Sequence, residues 1–214
     1  MRCVIALEGI DGSGKTTTAE IIRKYALNRG LICAVIKTGG ALTPEDEEQS
    51  QNPDERRRLF WDSLVNSEIC RQYGEAQVAL QESNLLVLDR TYLSYLMGKT
   101  RLYGQPISPM TVAKMERTLR DSGCFVPWDI LWHIQRSPGL VLEGLHMRGS
   151  VGLPVSKFDR FLMENPDFLA ADQERMKQIA LQVGAEIVPN DADIETLTST
   201  VWSRLDLLLG GDLG

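Results

Sequence analysis

The sequence predicts an α/β fold of three layers, a five-stranded parallel sheet flanked by helices. Three observations predict it. Apolar runs of strand length alternate with stretches of helical spacing, and strand, helix and strand in that order form a unit whose sheet is parallel and covered on both faces. The 214 residues suit one domain and are short for two. The opening apolar run, Cys3 to Leu7, passes directly into Gly9-x-x-x-x-Gly14-Lys15-Thr16, after which helical spacing begins.

That order of strand, glycine-rich turn and helix start is a P-loop. Gly9, Gly12 and Gly14 let the backbone turn tightly and present N–H groups to a phosphate, with Ile10, Asp11 and Ser13 between them. The positive end of the helix dipole favours phosphate charge where Lys15, Thr16 and Thr17 begin the helix. Lys15 supplies a mobile cation near the β- and γ-phosphates, and the Thr16 hydroxyl suits Mg²⁺. A nucleoside triphosphate is therefore expected. Asp11 is electrostatically awkward so near phosphates unless it faces a second ligand, an acceptor; the alternative is a solvated loop acid.

Composition narrows the partners. Hydrophobic content of 43%, charged content of 24% and a net charge of −6 describe a globular protein and argue against nucleic acid as a partner. No apolar stretch approaches the ~20 residues that cross a bilayer, and no signal-peptide pattern opens the chain, so no membrane partner and a cytoplasmic location are expected. Cys3, Cys33, Cys70 and Cys124 show no Cys-x-x-Cys pair, with only His133 and His146 to complete a metal site, and read as free thiols. Cys3 and Cys33, in apolar runs, read as buried packing residues.

The remaining elements follow in order. A helix over 17–29, with Ala19, Ile22, Ala26 and Leu27 at apolar spacing, is ended by Gly30. Leu31 to Ile36 is the second strand, and Lys37-Thr38-Gly39-Gly40 leaves it at the edge where ligands gather, so Lys37 meets an acceptor phosphate or is simply exposed. A polar loop over 41–54 and then the triple Arg56-Arg57-Arg58 lead into a long helix over 57–81, with Phe60, Trp61 and Arg71 near its apolar positions. The strand Leu85–Leu88 ends in Asp89-Arg90. An acid at the tip of a buried strand fits the Walker B role of holding Mg²⁺ through water, and Arg90 offers a fork to phosphate, or the two neighbours pair with each other. Tyr92, Tyr95 and Tyr103 follow in a loop or helix, either stacking on a base or packing in the core. Residues 109–120 form a helix and Ile130 to Ile134 the fourth strand, and Ser137-Pro138 opens a helix to Met147. Residues 148–160, with two glycines and the cations Arg148, Lys157 and Arg160, have the composition of a mobile lid. A helix over 166–183, the strand Ala185–Val188, the exit loop Asn190-Asp191-Ala192 and a helix over 193–209 complete the chain.

The succession Gly-Ile-Asp-Gly-Ser-Gly-Lys-Thr-Thr-Thr, then Asp89-Arg90, then Pro127 and Asp129 before a strand, then Ser137-Pro138 and a segment ending Asp159-Arg160, resembles the thymidylate kinases. The resemblance implies a P-loop nucleoside monophosphate kinase, usually homodimeric, that moves the γ-phosphoryl of ATP·Mg²⁺ to the 5′-phosphate of a deoxynucleotide. It implies Lys15 and Thr16 for ATP and Mg²⁺, Asp89 near the metal, Arg90 on the acceptor phosphate, Asp11 facing the acceptor sugar and Asn190 in a loop bordering adenine. The family's catalytic arginine comes from the P-loop or the lid. Gly12 stands at the P-loop position here, which points to Arg148 first and Arg160 second. The family's phenylalanine and arginine for thymine fall on Val65 and Ile69, with Phe60 and Arg71 nearby but out of register. Met97-Gly98-Lys99 stands where the family has Ala-Tyr-Gln, and Phe161-Leu162 follows Arg160 where the family has a glutamate. Acceptor-binding candidates are thus Asp11, Lys37, Phe60, Arg71, Arg90 and Tyr92. Two other readings stay open: a kinase of an unphosphorylated nucleoside or small alcohol, with Asp11 or Asp89 as base, and a nucleotide-binding regulator without kinase activity. No Asn-Lys-x-Asp specifies guanine.

Overall fold

Apolar runs bounded by polar turns become strands, and the five runs pair into one sheet. The structure, a computed structural model, describes residues 2–37, 55–103, 107–152 and 155–210, with the side chains of 55–66, 99–103 and 157 outside that description. The strands are β1 (Cys3–Glu8), β2 (Cys33–Lys37), β3 (Leu85–Asp89), β4 (Ile130–Gln135) and β5 (Glu186–Pro189), in the order β2-β3-β1-β4-β5. β2 lies parallel to β3, with Val35 beside Val87, and β4 parallel to β5, with His133 beside Ile187. β1 and β3 are buried along their whole length, as apolar strands covered on both faces must be. These are the five strands that the sequence predicts.

The described helices are α1 (Lys15–Asn28), α2 (Glu55–Glu82), α3 (Tyr92–Tyr103), α4 (Pro109–Asp121), α5 (Pro138–Ser150), α6 (Lys157–Glu164), α7 (Pro166–Gln182) and α8 (Ile194–Leu209). None of them is long and apolar enough to cross a membrane. The polar loop over 41–54 and the segment Thr38-Gly39-Gly40 lie outside the described residues. By its internal contacts the chain divides into two compact units, residues 1–6 with 31–130 and residues 7–30 with 131–214.

In the first unit α2 covers β2 and β3 with Ile69, Tyr73 and Ala76, all buried. An aromatic group forms beside it: Tyr92 stacks on Trp128 at 5.8 Å between centroids, and Tyr73 meets Phe125 at 5.9 Å. Asp129 pins the entry to β4, its carboxylate accepting from the Val4 N–H at 2.7 Å and its own N–H donating to the Val4 carbonyl at 2.9 Å. Cys3 is buried, and burial first, then the Asp129 charge, pushes its thiol up to about 12, so it packs as a neutral side chain.

In the second unit α1 packs on α8. The Tyr25 hydroxyl donates to Asp206 at 2.7 Å, and its ring meets Trp202 edge-on at 5.8 Å. The buried face of α1 is Thr18, Ala19, Ile21, Ile22, Tyr25 and Ala26; Leu27, placed by spacing on the apolar face, is 74% exposed. One residue is 100° on a helix, and Leu27 lies one position past the edge of the stripe. Gly30 ends the helix with φ 67°, as the sequence predicts.

The stretch 148–160 differs from a loop of lid composition. Residues 148–150 finish α5 and α6 starts at Lys157, with 153–154 outside the described residues. A reciprocal cap sets this start: Ser156 Oγ accepts the Asp159 N–H at 2.9 Å, and the Asp159 carboxylate accepts the Ser156 N–H at 3.0 Å. The segment after Asp89-Arg90, open between loop and helix in the sequence, is the helix α3.

Candidate active site

The second unit builds the P-loop. β1 ends at Glu8, the chain turns through residues 9–14, and α1 starts from Gly14 without a side-chain cap, the kind of helix N-terminus that draws anions. Lys15 is 5% exposed, and its ammonium donates to the carbonyls of Gly9 at 2.8 Å and Ile10 at 2.7 Å. Thr16 and Thr17 are exposed on the first turn, Ser13 is buried and Asp11 is half-buried. A helix start, glycine turns and a cation folded back over its own loop are a fitting set of groups for polyphosphate and its metal ion.

Asn190 is tied to the P-loop. Its Nδ2 donates to the Ser13 carbonyl at 2.6 Å, and its N–H donates to the Gln135 carbonyl at 2.7 Å. The side chain braces the P-loop against the exits of β4 and β5. Gly14 shows how closely: it has φ 99°, and a Cβ there would lie 2.2 Å from Asn190 Nδ2. Asp191 adds a second tie, accepting the Ser137 N–H at 2.6 Å.

Beside the loop, His133 on β4 is 3% exposed. Burial first, then the charges of Lys15 and Lys177, hold its pKa down to about 4 against an opposing pull from Glu174, so the imidazole is neutral at pH 7. It lines a cavity of about 270 Å³ with Ile10, Arg136, Ser137, Glu174 and Lys177.

Of the lid arginines, Arg148 ends α5 and lies 3.6 Å from the buried Asp159 carboxylate, while Arg160 is exposed on α6. The cap of α6 thus also holds the first-choice arginine, a link that the sequence spacing does not show.

The first unit carries the acceptor candidates. Asp89 ends β3 and is 2% exposed. Arg90 takes φ 88°, the left-handed region, with Nη1 donating to Ser94 Oγ at 3.4 Å. Tyr92 is fully buried within the aromatic group, its hydroxyl donating to Glu116 at 3.4 Å. Arg71 lies half-exposed on α2 between Glu68, at 2.5 Å, and Glu75, both one turn away on the same helix. Lys37 is exposed at the end of β2, and the Phe60 side chain lies outside the described residues. Glu8, immediately before Gly9, is a fully buried carboxylate that closes an otherwise apolar strand.

Comparison with known proteins bears on this arrangement. No protein-family model matches the chain. Thymidylate kinase from Neorickettsia sennetsu is 31% identical over 131 residues, covering 59% of this chain and 62% of that protein, so the match spans under two thirds of that relative. A probable thymidylate kinase from Archaeoglobus fulgidus is 27% identical over 174 residues, covering 77% and 82%. The chain is thus similar in sequence to thymidylate kinases, over about three quarters of its length in the second case. Among solved structures, the thymidylate kinase from Ehrlichia chaffeensis superposes with a TM-score of 0.60 at 17% identity over 95% of this chain and 98% of the other. A deoxyadenosine kinase from M. mycoides with bound dATP gives 0.62 at 14% identity over 96% and 100%. At such identities these two establish the fold. At position 12 the turn disfavours any side chain, an arginine included. Gly12 has φ 79°, and a Cβ there would lie 3.0 Å from Val141.

Proposed function

We propose that the chain is an ATP-dependent nucleoside monophosphate kinase, thymidylate kinase-like, that transfers the γ-phosphoryl group to dTMP or a related (deoxy)nucleoside monophosphate. The observation that carries this reading is the P-loop of the second unit, with Lys15 bonded to Gly9 and Ile10 and the uncapped start of α1 beside it. An oxygen of the acceptor phosphate attacks the γ-phosphorus, the bond to the β–γ bridging oxygen breaks and ADP departs. A phosphate is already a nucleophile, so no general base is needed, and positioning with charge stabilisation suffices.

Thr16 and Asp89 are the residues that would hold Mg²⁺, which would supply charge neutralisation to the phosphates. Lys15 leaves its two carbonyls for the phosphates. Arg148, with Arg160 second, brings a guanidinium onto the transferring group as the segment 148–160 acts as a lid. Arg90 holds the acceptor phosphate, Asp11 faces its sugar, and Lys37, Phe60, Arg71 and Tyr92 are the other acceptor candidates. The glutamates flanking Arg71 and the burial of Tyr92 favour Arg90 and Asp11 over those two. A cytoplasmic homodimer completes the reading.

ADP release measured against a panel of nucleosides and monophosphates tests it. Release with dTMP or another monophosphate is expected, and release only with unphosphorylated alcohols would overturn it. One observation favours the second chemistry: the fully buried Glu8 beside the P-loop is a further candidate base for an alcohol acceptor. In that case Glu8→Gln would remove activity toward nucleosides, whereas the phosphate acceptor needs no such base.

A further inference from the structure

Two thiols meet where α2 lies against the segment leading into β4. The two pieces of chain are joined at successive turns of the helix. Gln77 Nε2 donates to the Gly123 carbonyl at 2.8 Å, the Tyr73 and Phe125 rings lie 5.9 Å apart, and the Cys70 thiol neighbours Cys124, whose proximity acts on its ionisation. Residues 70, 73 and 77 share one face of a helix by their spacing, so the three contacts form a single seam. The Cys124 side of the seam is held in place: its N–H donates to the Leu119 carbonyl at 3.0 Å, and its Sγ to the Ser122 carbonyl at 3.7 Å. Both cysteines are half-buried, within reach of a small molecule, whereas Cys3 is buried.

We propose that Cys70 and Cys124 are a thiol–disulfide site, closed by a low-molecular-weight disulfide and reopened by a thiol, that clips α2 to the entry of β4. The thiolate of one cysteine attacks a sulfur of the small disulfide RSSR, forming a mixed disulfide and releasing RS⁻, which takes up a proton as RSH. The second cysteine, deprotonated, attacks the protein sulfur of that mixed disulfide and expels a second RS⁻. Two protein thiols are oxidised by two electrons, RSSR is reduced to two RSH, and the two thiol protons end on them. Burial first, then the neighbouring Cys124, raises the Cys70 pKa, so thiolate is scarce at neutral pH. The first attack is therefore slow, and the second is fast because its partner is already in contact.

The test is independent of catalysis. The full chain is equilibrated with graded mixtures of oxidised and reduced glutathione, quenched in acid, alkylated, digested and mapped by mass spectrometry. The expected product is a peptide pair joined through Cys70 and Cys124 that dithiothreitol separates. Its rate of formation should rise roughly tenfold per pH unit from pH 7. Cys70→Ser and Cys124→Ser should each keep the glutathione adduct on the remaining cysteine, ~10-fold above its level in the unaltered chain, because nothing displaces it. Lasting adducts on Cys70 or Cys124 in the unaltered chain without the joined pair would overturn the proposal. So would Cys70 joined to Cys3 or Cys33 as often as to Cys124.

Discussion

Arg90 combines a strained backbone with the position proposed for the acceptor phosphate. A residue other than glycine at φ 88° costs on the order of 1 kcal/mol or more, and such outliers gather at sites where the surrounding structure holds them. Arg90→Gly should therefore keep or raise the denaturation midpoint, by up to ~1 kcal/mol, while turnover falls ~10²-fold or more through loss of the phosphate fork. A variant that is less stable but turns over normally would remove Arg90 from the acceptor site. Arg148→Ala should lower kcat by ~10³ and Arg160→Ala by much less, read in the same steady-state assay; the reverse ranking would move the transferring role to α6. At this scale the sequence speaks unevenly. The places of Lys15 and Asp89 in the fold were readable from spacing alone, one after a glycine turn and the other at a strand tip. Asn190 was not, because a brace to the Ser13 carbonyl has no local signature, and neither does the backbone twist at Arg90.

His133 makes β4 sensitive to acid. Its folded pKa, held down to about 4 chiefly by burial and then by Lys15 and Lys177, lies below the unfolded value of 6.5. The unfolded chain therefore binds the proton first as pH falls. Its contribution is intact above about pH 6.5 and lost progressively down to about pH 4, a total of about 3 kcal/mol, to which Glu174 is the opposing charge. Urea midpoints recorded across that range should fall with pH, and His133→Gln should flatten the slope; an unchanged slope would mean that other groups carry it. The start of α6 is the other test for an element: Ser156→Ala should cost about 1 kcal/mol in thermal unfolding. Strands were readable because apolar runs with polar ends have few alternatives. The helix α6 was not, because glycine and cation content outweighed the short signal Ser156-x-x-Asp159.

Across the molecule, the five parallel strands and the flanking helices follow from the succession of runs, so most of the fold was readable from the chain alone; the order β2-β3-β1-β4-β5 was not, because long-range pairing sets it. Acceptor recognition was not. In a helix as long as α2 (Glu55–Glu82), a one-residue shift in register turns a side chain by about 100°, and Arg71 is drawn instead to Glu68 and Glu75 on its own surface. Saturating ATP should stabilise the whole chain by about 2.7 kcal/mol at a hundredfold excess over Kd, read as a rise in Tm above each protein's own unliganded transition that Lys15→Ala abolishes. A persistent rise in that variant would place the nucleotide elsewhere. The ammonium of Lys15, latched onto two carbonyls of its own turn, has a last consequence for capture. An incoming phosphate tail competes with peptide oxygens already satisfied, rather than with loosely held solvent. Each carbonyl that loses its cation must find a new donor in the same movement. With the nucleotide bound as proposed, its uptake and the unlatching of the turn would be one coupled event.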